Sequence, residues 1–185
     1  MKENKLEESS KIIRKLISEK NIVRPREGAA DFFVEKSRQS IRVASRLFEI
    51  NREEALETAM WVINSSYYSM FFAATALLAH HGHRIKVEAG IHKITYHAIA
   101  HYFIIESNKL EKHFIEEYKD AVEEAEELLQ LSSEKSLKLI SDFDNEMYKR
   151  KIFTYDLGRI AEKQKAETSL KRAKNFVKEI EKMLR

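Results

Sequence analysis

Only four glycines and one proline occur in the 185 residues of this chain. Sandwiches, barrels and dinucleotide-binding sheets need many turns at positive φ, and those turns are built mainly from glycine. Five strong breakers cannot punctuate such a fold. They suffice to separate a few long helices. With 43% hydrophobic and 34% charged residues, the chain carries enough apolar bulk for one core and enough charge to solvate it. The reading is an all-α, up-and-down bundle of about six to seven helices.

The absence of cysteine removes disulfides, thiol catalysis, iron–sulfur clusters and zinc ribbons together. It fits a reducing compartment, and no apolar stretch follows Met1-Lys2-Glu3-Asn4-Lys5, so a cytoplasmic protein is expected. The net charge is only +3, but it is unevenly spread. Residues 1–50 hold 12 basic against 8 acidic side chains, 106–134 hold 3 against 10, and 163–185 hold 8 against 3. A polyanion should approach the first and last segments and avoid the middle one.

Amphipathic periodicity places a helix over Leu6–Glu19, with Leu6, Ile13, Leu16 and Ile17 on one side. Asn21–Gly28, which holds the one proline, reads as a linker. Residues 1–27 are therefore an N-terminal helical extension, and 28–185 the bundle. A second helix runs from Ala29 to Ile50. Asn51-Arg52-Glu53-Glu54 has the form of a capping box opening a third. No charged side chain falls between Glu57 and His80, which is long enough for a membrane span, yet Asn64, Ser65, Ser66, Ser69 and Thr75 interrupt it. A central bundle helix is expected, with no membrane partner. Gly82 ends it among His80, His81 and His83. A fourth helix covers Val87–Glu106, and an acidic one, an insertion near 106–134, covers Lys109–Leu131. A sixth runs from Glu134 to Tyr155, Gly158 interrupts, and the last turns Ala166, Leu170, Ala173, Val177, Ile180 and Leu184 inward.

Enzymatic signatures are scarce. The glycines are isolated, so no phosphate loop exists. His97-Ala98-Ile99-Ala100-His101 has the two-histidine spacing of a zinc protease helix, but Ala98 stands where the general base is needed. No metal and no cofactor are expected. Two basic patterns remain. Arg38, Arg42 and Arg46 stand four apart, forming a guanidinium stripe suited to phosphates, with Glu35 and Glu49 able to neutralise its ends. Lys171, Lys174, Lys178, Lys182 and Arg185 form a longer stripe near the C-terminus.

The run Ser65-Ser-Tyr-Tyr-Ser-Met-Phe-Phe-Ala-Ala-Thr-Ala-Leu-Leu78, followed by Gly82 and then His92-Lys93, resembles the central helix of HEPN domains (higher eukaryotes and prokaryotes nucleotide-binding). Members carry an A-Y-Y-A-M-F-H-A-A-x-A-L-L-like segment there. The likeness resumes at Glu146-Met-Tyr-Lys-Arg-Lys-Ile-Phe-Thr-Tyr155, where members resemble L-Y-x-x-R-x-x-A-D-Y, and it spans roughly 30–105 and 140–184.

The resemblance implies a dimeric helical bundle associated with RNA or nucleotides. Many members are ribonucleases, or partners of nucleotidyltransferases in toxin–antitoxin modules. Their catalytic motif is an arginine followed within a few residues by histidine, which serves as general acid–base while the arginine stabilises the phosphorane. Arg150 matches the arginine, but Tyr155 stands where the histidine belongs, and an unperturbed phenol with a pKa near ~10 is a poor base at neutral pH. Phe72 likewise replaces the histidine of the central helix.

The expected function is thus a non-catalytic homodimer that binds RNA or a ribonucleoprotein, with the ribosome one such target, in a regulatory or stress role. Arg38, Arg42, Arg46, Lys149, Arg150 and Lys151 would contact phosphate, and Tyr67 and Tyr68 would be core or dimer aromatics. One alternative is a toxin–antitoxin component with Tyr155 as an acceptor for a nucleotidyltransferase partner. The other is an active metal-independent ribonuclease that uses Arg150 with a relocated His92.

Overall fold

A computed structural model of the chain describes residues 3–53, 57–87, 89–127 and 155–185. Among these residues the fold is mostly helical, with six helices and one two-stranded ribbon. The elements are α1 (Glu3–Ser18), β1 (Ile22–Val23), α2 (Ala29–Arg52), α3 (Ala59–His80), β2 (Arg84–Ile85) and α4 (Ile91–Ile99). A π-helical stretch (Ala100–Glu106) continues α4, a helix over 112–127 (α5) follows, and α6 (Tyr155–Met183) closes the chain.

α3 is the axis of the bundle, because its apolar residues are not confined to one side. Val62, Ile63, Met70, Phe71, Ala74, Leu77 and Leu78 are all buried, and 72% of its most hydrophobic window is enclosed by the rest of the protein. A helix apolar around most of its circumference must be covered on several sides. α2 and α6 both pack along it. The Ser69 and Thr75 hydroxyls bond carbonyls of their own helix, whereas Asn64 Oδ1, Ser66 Oγ and the Tyr67 hydroxyl are buried without a partner among the described residues. The Ser37 hydroxyl on α2 donates to the Ser69 carbonyl at 2.8 Å, and the Ser69 hydroxyl donates to the Ser66 carbonyl at 2.7 Å. Gly82 then closes the helix in the left-handed conformation, at φ 84°. Its amide donates to the Ala79 carbonyl, and that of His83 to the Leu78 carbonyl, the paired bonds of a Schellman stop.

α1 contributes Ile13, fully enclosed in the same core as Met70, Leu77 and Phe103. Ile17, expected on its inner side, is exposed. The acidic α5 turns Ile115, Tyr118, Ala121, Val122 and Ala125 inward and most of its carboxylates outward, but one Glu117 oxygen is buried and burial raises the pKa of that carboxyl. α6 buries Ala166, Leu170, Ala173, Val177 and Ile180 as its periodicity requires, together with Phe176.

Several boundaries differ from the sequence reading. Asn51 does not open α3. It lies buried in the last turn of α2, and its Oδ1 accepts the amide of Thr58, 3.1 Å away, while the Thr58 hydroxyl donates to the Leu47 carbonyl at 2.6 Å. The capping interaction therefore reaches across the loop from the preceding helix. The expected linker at 21–28 contains β1, which pairs antiparallel with β2 just after Gly82. Gly158 does not interrupt α6, which runs unbroken from Tyr155. A lone helical glycine costs about 1 kcal/mol, too little to break a 29-residue helix packed against its neighbours. α4 begins at Ile91, after Gly90, instead of at Val87. The helix expected over 134–155 lies outside the described residues up to its last position, where α6 begins.

Candidate nucleic-acid interface

The three arginines of α2 all stand on its exposed side. Arg38 Nε donates to Glu181 on α6 at 2.7 Å, Arg42 to Glu35 at 3.0 Å, and Arg46 to Glu49 at 2.8 Å. The hydrogen bond and charge of Glu181 raise the Arg38 pKa further, and Glu49 does the same for Arg46. Phe33, Ile41, Ala44 and Phe48 lie on the inner side of the helix, wholly or partly buried.

Helical geometry orders this surface. Residues four apart are rotated by about 40°, so the stripe drifts from the α6 edge at Arg38 through Arg42 to Arg46 on the outer crest. On α6, Lys174 and Lys178 follow the same edge as Glu181, with Lys171 and Arg185 beside them. None of these four basic groups has an ion-pair partner among the described residues. Beyond Arg46, about 40–60° further round α2, come Phe32 and Val43, which are 55% and 50% exposed. A run of rings then crosses to α3. Phe32 meets Phe33 edge-on at 5.2 Å, Phe33 stacks on Phe72 at 6.2 Å, and Phe72 lies 6.0 Å from Tyr68. Trp61, one turn pair before Tyr68 on the same face, is 56% exposed. The surface therefore passes from lysines through arginines to exposed aromatics.

Tyr67 and Tyr68 behave differently although they are adjacent. Tyr67 is buried, its hydroxyl has no hydrogen-bonding partner among the described residues, and burial holds its pKa far above the usual phenol value. Tyr68 is open to solvent. His92 sits at the start of α4 against both tyrosines and Phe71, whose ring centroid is 4.5 Å away. Burial lowers its pKa, and its Nδ1 has no partner among the described residues. Lys149, Arg150 and Lys151 lie outside the described residues. Tyr155 is the first residue of α6.

No known family model matches this sequence, and no curated protein matches it.

A second group of functional side chains was not expected as a unit. His97 and His101 form no cluster of three metal-binding side chains among the described residues. They hold α1 instead. Ser9 Oγ lies 2.9 Å from His97 Nδ1, and Ser10 Oγ 3.2 Å from His101 Nδ1. His101 Nε2 is 3.1 Å from the Glu106 carboxylate. The π-helical period of five brings residues 101 and 106 into line. With Glu106 accepting from Nε2–H, the neutral tautomer leaves Nδ1 to accept the Ser10 hydroxyl. The clue in the sequence is a pair of serines facing a pair of histidines, but nothing local says that they meet. Between α5 and α6 a cleft of about 550 Å³ carries Asp120, Glu123, Glu124 and Glu127, with Arg172 and Lys165 in its lining and Lys119 paired to Glu123 beside it. Polyanions are repelled from that side.

Proposed function

We propose that the chain is a non-catalytic, homodimeric bundle of the HEPN type that binds RNA or a ribonucleoprotein through the exposed face of α2 and the adjoining edge of α6. The observation that carries this reading is the exposed band formed by Arg38, Arg42 and Arg46 with Lys171, Lys174, Lys178 and Arg185, the last four without an ion-pair partner among the described residues. Each arginine is answered by a glutamate, but solvent-exposed pairs are weak and easily exchanged, so phosphates compete with them at little cost. Arginine is suited to the exchange because its planar fork binds phosphate as well as carboxylate. The neighbouring Phe32, Val43, Trp61 and Tyr68 supply apolar area for a second copy.

A non-catalytic role is supported by the surroundings of His92. Rings pack against it, its Nδ1 has no hydrogen-bonding partner among the described residues, and burial disfavours its protonated form. A general acid–base needs a partner that holds it against the proton it moves.

The test is RNA affinity as a function of salt for the wild type and for Arg38→Glu/Arg42→Glu/Arg46→Glu. Each phosphate contact removed should lower the slope of log affinity against log salt by about 0.7–0.9. Unchanged affinity and slope in the triple variant would refute the assignment. For the dimer, Trp61→Glu should convert the sedimenting species to monomer, and a wild-type monomer at all concentrations would exclude it.

A further inference from the structure

A cavity of about 180 Å³ opens where α1, α4 and α5 meet, and no residue of the basic face lines it. Tyr96 and Val122 form its apolar walls. An apolar cavity of about 150 Å³ is large enough to hold benzene, so this one admits a side chain the size of leucine or phenylalanine.

The charges around it are not equally available. Lys119 is spent on Glu123, 2.8 Å away on the next turn of α5. His97 is engaged by Ser9, and burial lowers its pKa, so at neutral pH it adds no charge. Two groups remain. Glu8 on α1 and Lys93 on α4 are exposed, line the cavity, and have no ion-pair partner among the described residues. Both act on His97, Glu8 raising its pKa and Lys93 lowering it, which places them around the same side chain. The mouth of an apolar slot thus carries one uncompensated anion and one uncompensated cation on different helices.

The geometry points to a binding site for a small zwitterion with an apolar body, that is, a free amino acid of the leucine or phenylalanine class. Its carboxylate pairs with Lys93, its ammonium with Glu8, and its side chain enters between Tyr96 and Val122. The ligand bridges α1 to α4 and α5, so its occupancy is felt by the helix that the serine–histidine contacts hold. This site is independent of RNA binding.

Titration of the full-length protein with L-leucine and with L-phenylalanine, followed calorimetrically, should give saturable one-to-one binding by at least one of them. Glu8→Gln and Lys93→Met, both surface changes that leave the fold intact, should each weaken binding about ten-fold, the loss of one charge-assisted contact. N-acetyl-leucine and leucine amide should lose affinity similarly, because each lacks one of the two charges. The proposal is overturned if neither amino acid binds saturably, if N-acetyl-leucine binds as well as leucine, or if both variants bind as wild type. An unchanged circular dichroism spectrum and melting temperature in the variants separates a lost site from a lost fold.

Discussion

α2 and α4 each carry basic side chains four residues apart, and the two patterns meet opposite fates. Arg38, Arg42 and Arg46 stay in water, and glutamates answer them. His97 and His101 are drawn inward, with the His101 side chain only 3% exposed, and serines of α1 answer them. Spacing is the same, although the arginines sit on an α-helix and His101 lies in the π-helical stretch that continues α4. The difference is that a guanidinium cannot shed its charge, whereas an imidazole can enter a core as a neutral hydrogen-bonding group. A four-residue repeat states which side chains share a face. It does not state what that face will meet.

The largest effect that sharpens this contrast should come from α1 itself. Ile13→Ala removes a fully enclosed side chain beside the serine–histidine contacts and should cost about 2–5 kcal/mol in chemical denaturation. A loss under 1 kcal/mol would mean that α1 is only loosely attached, and the two faces would then differ less than described.

Acidification comes next. Burial lowers the pKa of His83, His97 and His101, and the carboxylates of Glu106 and Glu8 only partly offset it. Repulsion from His81 and His101 lowers His83 further, and the charge of Arg14 does the same for His101. In the unfolded chain these histidines titrate near ~6.5. Their folded pKa values lie lower, so the unfolded state takes up protons first as pH falls. Stability from this source is complete above ~6.5 and is lost on acidification through the lowered folded values. Urea midpoints should therefore drop between pH 7.5 and pH 5. Replacing His97 and His101 by asparagine and glutamine should flatten the drop, and an equal drop in that variant would locate the pH response elsewhere.

A smaller change is expected for Ser9→Ala with Ser10→Ala. Removing both hydroxyls leaves His97 and His101 without partners at Nδ1 and should cost on the order of 1–3 kcal/mol in total. Nuclear magnetic resonance titration should show both imidazoles shifted. The smallest effect on stability belongs to the α2 stripe. Arg42→Gln and Arg46→Gln should leave the melting temperature where it is, since both side chains are largely solvated, while RNA affinity falls. A large change in melting temperature would show that these pairs are structural after all.

Much of the architecture was legible locally. The scarcity of glycine and proline announced helices, and the α6 repeat located Ala166, Leu170, Ala173, Val177 and Ile180 correctly at the core. α3 was legible as a bundle axis because polar residues interrupt its apolar run. Asn51 misled because Asn suits both a helix start and a buried acceptor, and only its bond to the Thr58 amide distinguishes them. Gly158 misled because its intrinsic cost is outweighed by packing along α6. The basic stripe was read from spacing, but Glu181, which ties Arg38 to α6, is 143 residues away.

Periodicity and the sign of charge along each segment follow from the amino-acid order, because they depend on a fixed rotation per residue and on side-chain chemistry. Tertiary structure alone decided that Ser9 would meet His97, 88 residues distant, that Ser10 would meet His101, and that Glu8 and Lys93 would face one cavity. Those meetings depend on how three helices cross, and no short window of sequence carries that information.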